Sequence, residues 1–128
     1  MKLLLDTHVL IWSAGTPEKL SQRVRDLLTD TSNTFVLSIV SVWEMQIKIQ
    51  LGKLRLNSSL PKLIESQQQT NNLQLLPMEL AHIWTLANLL DHHRDPFDRL
   101  LIAQSIVEQM PILSVDSAFD AYRIHRLW

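Results

Sequence analysis

The sequence predicts an α/β sandwich with a central parallel β-sheet flanked by α-helices, and two patterns support that prediction. Short apolar runs such as "KLLLD" at residues 2–6 are typical of strands that a parallel sheet buries on both faces. Segments with apolar residues at helical spacing separate these runs, and such an alternation favours a parallel sheet covered by helices. The 128 residues, of which 46% are hydrophobic and 20% charged, suit one globular domain over residues 1–128.

Strand and helix signals alternate through the first half of the chain. The first strand is followed by a short helix, "THVLIWSAG", and by a second helix, "LSQRVRDLLTD", whose apolar residues share one face. "TFVLSIV" is rich in β-branched residues and predicts the second strand. The next helix, "SVWEMQIKIQLG", is predicted to begin with Ser41 as its N-cap and to end at Gly52.

The second half continues the alternation. "LPKLIESQQQ" predicts a helix, "LQLLP" the third strand, and "MELAHIWTLANLL" a helix whose apolar face carries Leu80, Ile83, Trp84 and Ala87. A further helix begins within "RDPFDRLLIAQS", "PILSV" is the fourth strand, "DSAFDAY" a helical turn and "RIHRLW" an edge strand. Positions in the core, rather than roles as base-stacking platforms, are expected for three tryptophans, Trp12, Trp43 and Trp84.

Composition excludes several classes of protein. No cysteine is present, so disulfides and thiolate zinc sites are impossible, as fits a reducing cytoplasm. Asp6 interrupts the apolar run that follows Lys2, and "FVLSIVSVW" is about half as long as a membrane span. We therefore expect a cytoplasmic protein with neither a signal peptide nor a membrane segment.

The formal net charge of −1 argues against a strongly basic nucleic-acid surface, although the charge is unevenly distributed. Between Met45 and Ile64 the chain carries basic residues and no acid. Two interpretations stay open, a solvated helix face and a patch that faces phosphate groups. The basic residues of this segment are Lys48, Lys53, Arg55 and Lys62.

Acidic residues follow the predicted strands at positions that matter for ligand binding. Asp6 directly follows the first strand, Glu44 lies in the first turn of the helix after the second, and Asp116 directly follows the fourth. In parallel sheets, ligand sites lie beyond the carboxyl ends of the strands, so topology directs these three to one edge. Asp98 lies in the first turn of the helix that leads to the fourth strand, where the rule is less decisive.

Each acid could also serve a purely local purpose. Asp6 and Asp116 could cap the turns that follow them, Ser41 and Glu44 match a capping box, and the helix dipole favours an acid at Asp98. Two unit charges 4 Å apart, however, repel by about 4 kcal/mol at an effective dielectric constant near 20. Four converging carboxylates therefore call for protonation or for a cation, and all-oxygen ligands suit Mg²⁺ or Mn²⁺.

The two aspartates of "DPFD" have separable roles. Proline biases the preceding residue to an extended backbone and is favoured at the first helical position. Asp95 is therefore predicted to be the N-cap, Pro96 the first helical residue and Asp98 the third. A capping carboxylate is occupied by backbone N–H groups, which leaves Asp98 to project into the crevice.

Four segments of the chain resemble, in order and spacing, the PIN-domain ribonucleases, and most closely the VapC-like toxins of bacterial and archaeal toxin–antitoxin pairs. They are "LLLDTHVLIW", "SIVSVWEMQIKIQLGKL", "DPFDRLLIAQS" and "ILSVDSAFDAY", and they span nearly the whole chain. One departure is His8, which stands where many members carry Asn or Ser. Whether His8 contacts substrate stays open.

The resemblance implies a PIN-like fold and a metal-dependent endoribonuclease that hydrolyses RNA phosphodiester bonds. It further implies a homodimer and inhibition by a cognate antitoxin protein. The catalytic and metal-binding acids would be Asp6, Glu44, Asp98 and Asp116. Asp6 and Asp98 would be the primary ligands of Mg²⁺ or Mn²⁺, Asp116 a further ligand, and Glu44 a ligand or the group that orients the attacking water.

The basic segment after Glu44 is expected to face the RNA through Lys48, Lys53 and Arg55. Two rival classes remain beside the nuclease. A metal-dependent phosphoryl-transfer enzyme of the phosphatase kind would also begin with an aspartate at a strand end, although a dehalogenase-like one normally has a second aspartate where this chain has His8. A catalytically silent PIN-like interaction module would tolerate the loss of acids, yet all four are present.

Overall fold

The central sheet is five-stranded and parallel, with the strand order β3-β2-β1-β4-β5 in the computed structural model, which describes residues 1–92 and 95–128. Leu4 on β1 pairs with Val36 on β2 at one side and with Ile112 on β4 at the other. The predicted parallel sheet and its C-terminal edge strand are both confirmed. The strands are β1 (Lys2–Leu5), β2 (Thr34–Ser38), β3 (Gln74–Leu76), β4 (Ile112–Leu113) and β5 (Arg126–Leu127).

Helices cover both faces of this sheet. Short 3₁₀ turns occupy Pro17–Lys19, Leu86–Asn88 and Ser117–Ala121. None of the helices among residues 1–92 and 95–128 is long and apolar enough to cross a membrane. The α-helices in the described part of the chain are α1 (Thr7–Gly15), α2 (Gln22–Thr29), α3 (Ile39–Gln50), α4 (Leu60–Asn71), α5 (Leu80–Thr85) and α6 (Pro96–Glu108).

The strand side chains alternate between two hydrophobic clusters. Leu3 and Leu5 of β1 join the cluster that includes residues of α1, α2 and α4. Leu4, between them, points to the opposite face and packs with Leu101 and Ile102 of α6. The continuous apolar run of β1 is thus explained, because both faces of the sheet are buried.

The start of α3 differs from the prediction. The helix begins at Ile39, and its N-cap is Ser38, whose hydroxyl accepts a hydrogen bond from the Val40 N–H at 3.0 Å. Ser41 therefore lies inside the helix, with its buried hydroxyl unpartnered among the described residues. The capping box of Ser41 and Glu44 was wrong because a closer serine, at the last position of β2, already caps the helix. Glu44 is thereby left for other contacts.

The start of α6 confirms the prediction for the two aspartates. Asp95 has an extended backbone, and its Oδ1 accepts hydrogen bonds from the N–H groups of Phe97, at 2.8 Å, and Asp98, at 3.4 Å. Pro96 is the first helical residue, and Asp98 is the third. Asp95, and not Asp98, is therefore the cap of α6.

The apolar face predicted for the helix at residues 78–90 does not face the core. Leu80, Ile83 and Trp84 are 63%, 40% and 65% exposed. Trp43 is also exposed and Trp12 is partly buried, so core positions were wrong for Trp43 and Trp84. The α-helix is only six residues long, and the residue that it buries completely is His82.

His82 fastens α5 to α6 by two polar contacts. Its Nδ1 accepts a hydrogen bond from the Glu79 N–H at 3.0 Å, and its Nε2 lies 3.1 Å from Glu108 Oε1. Because Nδ1 is the acceptor, Nε2 carries the hydrogen that is donated to the carboxylate. The buried imidazole thus has a hydrogen-bond partner at each nitrogen, which explains why the short helix turns a histidine, and not its tryptophan, toward the protein.

Candidate active site

Asp6 stands where β1 ends, at the centre of the sheet. It caps α1, with its Oδ1 accepting the Thr7 N–H at 2.7 Å. Its Oδ2 accepts a hydrogen bond from the Ser114 hydroxyl, also at 2.7 Å. Burial raises the pKa of Asp6, and the hydrogen bond from Ser114 opposes that rise. Asp6 is therefore both a cap and a desolvated carboxylate held in a fixed orientation.

Glu44 approaches the same place from α3. Its carboxylate is buried, with Oε1 accepting a hydrogen bond from the Thr7 hydroxyl at 3.0 Å. Its Oε2 lies 3.3 Å from the Nζ of Lys48, one turn further along the helix. Thr7 thus links the residue after β1 to the helix after β2, and it brings Glu44 next to Asp6.

Ser114 organises the end of β4. This fully buried residue donates its hydroxyl hydrogen to Asp6, and its Oγ accepts the Asp116 N–H at 3.0 Å. Asp116 caps the 3₁₀ turn that follows, with its Oδ1 accepting the Ala118 N–H at 3.0 Å. The capping role considered for Asp116 is therefore real, and its position beside Ser114 brings it close to Asp6 as well.

The pKa of Asp98 depends on its burial and on the other acids nearby. Burial is the largest cause of a pKa raised to about 7. Neighbouring carboxylates raise it further, since a second negative charge nearby disfavours ionisation. Those neighbours are, in decreasing order of effect, Asp95, Asp6, Glu44 and Asp116.

We call Asp6, Glu44, Asp98 and Asp116 together the acidic crevice. Elements that are distant in sequence supply its members, namely the ends of β1 and β4 and the helices α3 and α6. The donor set consists of carboxylate oxygens, which fits a hard divalent cation. No three histidines or acids of residues 1–92 and 95–128 are already grouped as a metal site. The chemistry of the donors fits such an ion, and ligation would draw the carboxylates closer together.

The predicted basic residues fall into two places. Lys48 and Lys53 line a groove of about 420 Å³ beside the crevice, together with Glu44 and Phe97. Arg55 instead lines a separate cavity with residues of α1 and α4. Lys48 and Lys53 are thus next to the acids, whereas Arg55 is on another surface of the protein.

His8 and His92 make different contacts. His8 is exposed, and its ring lies 5.5 Å from that of Trp12, while its charge lowers the pKa of Asp6. His92 donates its backbone N–H to the Tyr122 hydroxyl at 3.1 Å. A surface or capping role is the expectation for the adjacent His92 and His93, of which His93 lies outside the described residues.

Two residues that bind the acids of the crevice were not anticipated from the sequence. Thr7 and Ser114 hold the carboxylates of Glu44 and Asp6 through side-chain hydrogen bonds. Ser114 carried a faint signal, because it is a lone hydroxyl within the apolar run "PILSV". Buried polar groups are usually hydrogen-bonded, so a serine at that position implies a partner without identifying it.

The fold is similar to those of several solved structures. The chain matches VapBC2 from Rickettsia felis, whose structure was solved bound to a promoter DNA fragment, with 13% identity, a TM-score of 0.74, and 99% and 98% of the two chains covered. It matches FitAcB from Neisseria gonorrhoeae at 16% identity and a TM-score of 0.68, over 98% and 96% of the chains. VapBC-5 from Mycobacterium tuberculosis, a member of the VapBC toxin–antitoxin family, matches at 17% identity and 0.61, covering 98% of each chain.

A comparison with curated protein sequences found no match. The model of the PIN domain family, by contrast, matches residues 3–124. That span includes the acidic crevice and the whole sheet except Lys2 of β1 and the strand β5. Members of this family are nucleases and generally use divalent metal ions. The sheet order, the acids at the strand ends and this match agree, and the chain belongs to the PIN domain family.

Proposed function

We propose that this protein is a metal-dependent endoribonuclease that hydrolyses RNA phosphodiester bonds and serves as the toxin of a toxin–antitoxin pair. The observation that carries the proposal is Asp98 in a PIN domain, where burial and the neighbouring carboxylates together raise the pKa of that residue to about 7. Perturbed acids that share a crevice are typical of functional sites. A surface selected for stability alone would not gather like charges.

The proposed cofactor is Mg²⁺ or Mn²⁺. Asp6 and Asp98 are its primary ligands in this proposal, Asp116 is a further ligand, and Glu44 is a ligand or orients the attacking water. When bound, such an ion lowers the pKa of its water and acts as a Lewis acid on the phosphate.

The protein's own groups set the geometry of these ligands. Ser114 and the Thr7 N–H fix the two oxygens of Asp6, so its carboxylate does not rotate freely. Thr7 and Lys48 hold opposite oxygens of Glu44 in the same way. Each Glu44 oxygen already has one partner, so it can accept a proton from water only along its remaining lone pairs. The direction from which that water attacks is thereby restricted.

RNA is proposed to reach the crevice along the groove lined by Lys48 and Lys53. Arg55, on a different surface, would contact a more distant phosphate. Replacing Lys48, Lys53 and Arg55 with Ala is expected to weaken RNA binding and to flatten its dependence on salt, because fewer counterions are then released. Unchanged affinity and salt slope in the triple variant would contradict this part of the proposal.

The proposed protein partners are a cognate antitoxin and a second copy of the chain. The VapBC structures that share the fold come from toxin–antitoxin systems, which supports an antitoxin partner. The exposed apolar side chains of α5, Leu80, Ile83 and Trp84, support a protein contact and hence a homodimer. A cytoplasmic location is proposed because RNA and a reducing environment are found together there.

The decisive experiment is cleavage of total cellular RNA by the purified protein, with end-mapping of the products. Cleavage is expected with Mg²⁺ or Mn²⁺ and not with EDTA, and p-nitrophenyl phosphate should be left intact. Hydrolysis of that ester without RNA cleavage would favour a phosphatase-like enzyme. Asp6→Asn, Glu44→Gln and Asp116→Asn should each impair RNA cleavage.

A matched control is Asp26→Asn, which neutralises an exposed carboxylate on α2. This variant should retain the wild-type rate. Full activity in any two of the three crevice variants would refute a shared site.

A further inference from the structure

An aromatic pair adjoins the acidic crevice. Trp43 directly precedes Glu44 on α3, and Phe97 directly precedes Asp98 on α6. Their ring centroids are 5.1 Å apart, with the ring planes at 71° to each other. The same two helices that carry the acids therefore also carry two aromatic rings in edge-to-face contact.

The contact with Phe97 covers only part of the Trp43 side chain. It remains 57% exposed, which is unusual for the largest apolar side chain. Phe97 is half-buried and lies at the base of the first turn of α6, so it can brace the indole from one side. An indole held in orientation by a second ring, but open to solvent, is a surface prepared for a planar partner.

The groove beside the pair carries two lysines among its lining residues, together with the acids Glu44 and Asp95. Phe97 lines it together with Lys48 and Lys53, and Lys53 is exposed. Aromatic side chains interleaved with basic ones are the pattern by which proteins bind flexible nucleic-acid strands, since bases stack on the rings while cations hold the phosphates. A wholly apolar docking face for another protein would not need these lysines.

We infer that Trp43, braced by Phe97, is a stacking platform for one nucleobase next to the scissile phosphate. This inference rests on the proposed ribonuclease function and names the residue that seats the substrate. Stacking fixes the rotation of the nucleotide relative to the carboxylates of Glu44 and Asp98. Trp43 is accordingly a substrate-binding residue, and the acids beside it perform the chemistry.

The test is a double-mutant cycle between the indole and the base. Single-stranded RNA 12-mers, each lacking one base at a different position, are titrated in Ca²⁺ instead of Mg²⁺, with gel analysis to verify that they stay intact. In the wild-type protein, one abasic position should weaken binding roughly tenfold, the size of one lost stacking interaction. In Trp43→Ala, intact RNA should bind roughly tenfold more weakly, and that abasic position should cause no additional loss.

Two further variants distinguish stacking on the indole from a general effect of apolar surface on α3. Trp43→Phe should recover most of the affinity while losing the quenching of tryptophan fluorescence that RNA causes in the wild type. Ile39→Ala is the matched control, because it removes another exposed apolar side chain from α3, one turn earlier. Its RNA affinity should equal that of the wild type.

Several results would overturn the inference. Additive losses from Trp43→Ala and the abasic position would show that the two do not touch. A smaller mass in sedimentation for both Trp43→Ala and Ile39→Ala would assign this face to a protein interface. Cleavage of the intact 12-mer in Mg²⁺ is measured in parallel, so a protein that cleaves but shows no coupled position refutes the platform alone, and one that never cleaves refutes the ribonuclease proposal.

Discussion

The acidic crevice and the contact between α5 and α6 both bury polar side chains, but they combine charges in opposite ways. In the crevice, burial and the neighbouring carboxylates raise the pKa of Asp98. At the helix contact, the His82 imidazole lies between a backbone N–H and the Glu108 carboxylate, so each group has a partner. The first arrangement opposes folding unless a proton or a cation neutralises it, whereas the second stabilises the fold as it stands. Variants of the two regions should therefore separate activity from stability.

The largest difference in cleavage activity is expected between variants of Asp98 and Asp95, at the start of α6. Asp98→Asn should lower metal-dependent cleavage by more than the roughly 10–100-fold that is usual for the hydrogen-bonding partners of a ligand, because it removes a proposed ligand itself. Asp95→Ala should keep most of the specific activity and lose about 1 kcal/mol of unfolding free energy, as is usual for a lost N-cap. Cleavage rates and denaturant titrations, measured side by side, check both.

The outcome that contradicts this assignment is specific. An active Asp98→Asn beside a stable but inactive Asp95→Ala would show that the two aspartates have exchanged roles.

A smaller loss of activity is expected when the support of the crevice is removed and its carboxylates are left in place. Ser114→Ala deletes the hydroxyl that binds Asp6 Oδ2. The freed carboxylate can rotate, so metal affinity or cleavage should fall roughly 10–100-fold. Isothermal titration with Mn²⁺ provides the affinity. A control is Ser117→Ala, an exposed serine of the next turn, which should bind the ion like the wild type. Equal affinity in all three proteins would refute the role of Ser114.

A variant of the contact between α5 and α6 should lose stability and keep its activity. His82→Ala leaves the Glu79 N–H without its acceptor and opens a cavity where a fully buried ring was. About 2–3 kcal/mol of unfolding free energy should be lost. Cleavage per folded molecule should hold at a temperature well below the melting transition. A His82→Ala protein as stable as the wild type would show that α5 is held by other contacts.

The last prediction is a pH dependence of stability in EDTA. The folded-state pKa of Asp98 is raised from 3.8 to about 7, so the folded chain binds this proton more tightly than the unfolded chain does. The stabilisation is fully present below about pH 4 and is lost as the pH rises to about 7. Wild-type protein should therefore lose stability relative to Asp98→Asn across that window, as thermal melts will show. Parallel melting curves would contradict the raised pKa.

The predictable features were those set by neighbours in sequence. The order of the strands' apolar runs, the proline after Asp95 and the acids at the strand ends are local patterns, and the sheet and the start of α6 follow from them. The PIN resemblance also rested on such segments, and the family match over residues 3–124 confirms it.

The errors and omissions came from contacts that the local pattern does not encode. Two serines could have capped α3, and Ser38 does so because β2 ends before the last apolar residues of "TFVLSIV". Helical spacing located an apolar face on α5, but α5 buries His82 instead. The imidazole of His82 is held by Glu108, which lies 26 residues further along the chain. The hydroxyls of Thr7 and Ser114 likewise act on residues 37 and 108 positions away.

That last separation has a consequence for how the protein is made. Asp6 leaves the ribosome early, yet the hydroxyl that orients it follows 108 residues later, which at 5–20 residues per second is a delay of roughly 5–20 s. During this interval β1 also lacks β4, one of its two neighbours in the sheet. For a nuclease of the proposed kind, the acidic crevice would therefore stay incomplete until Ser114 and Asp116 have been synthesised.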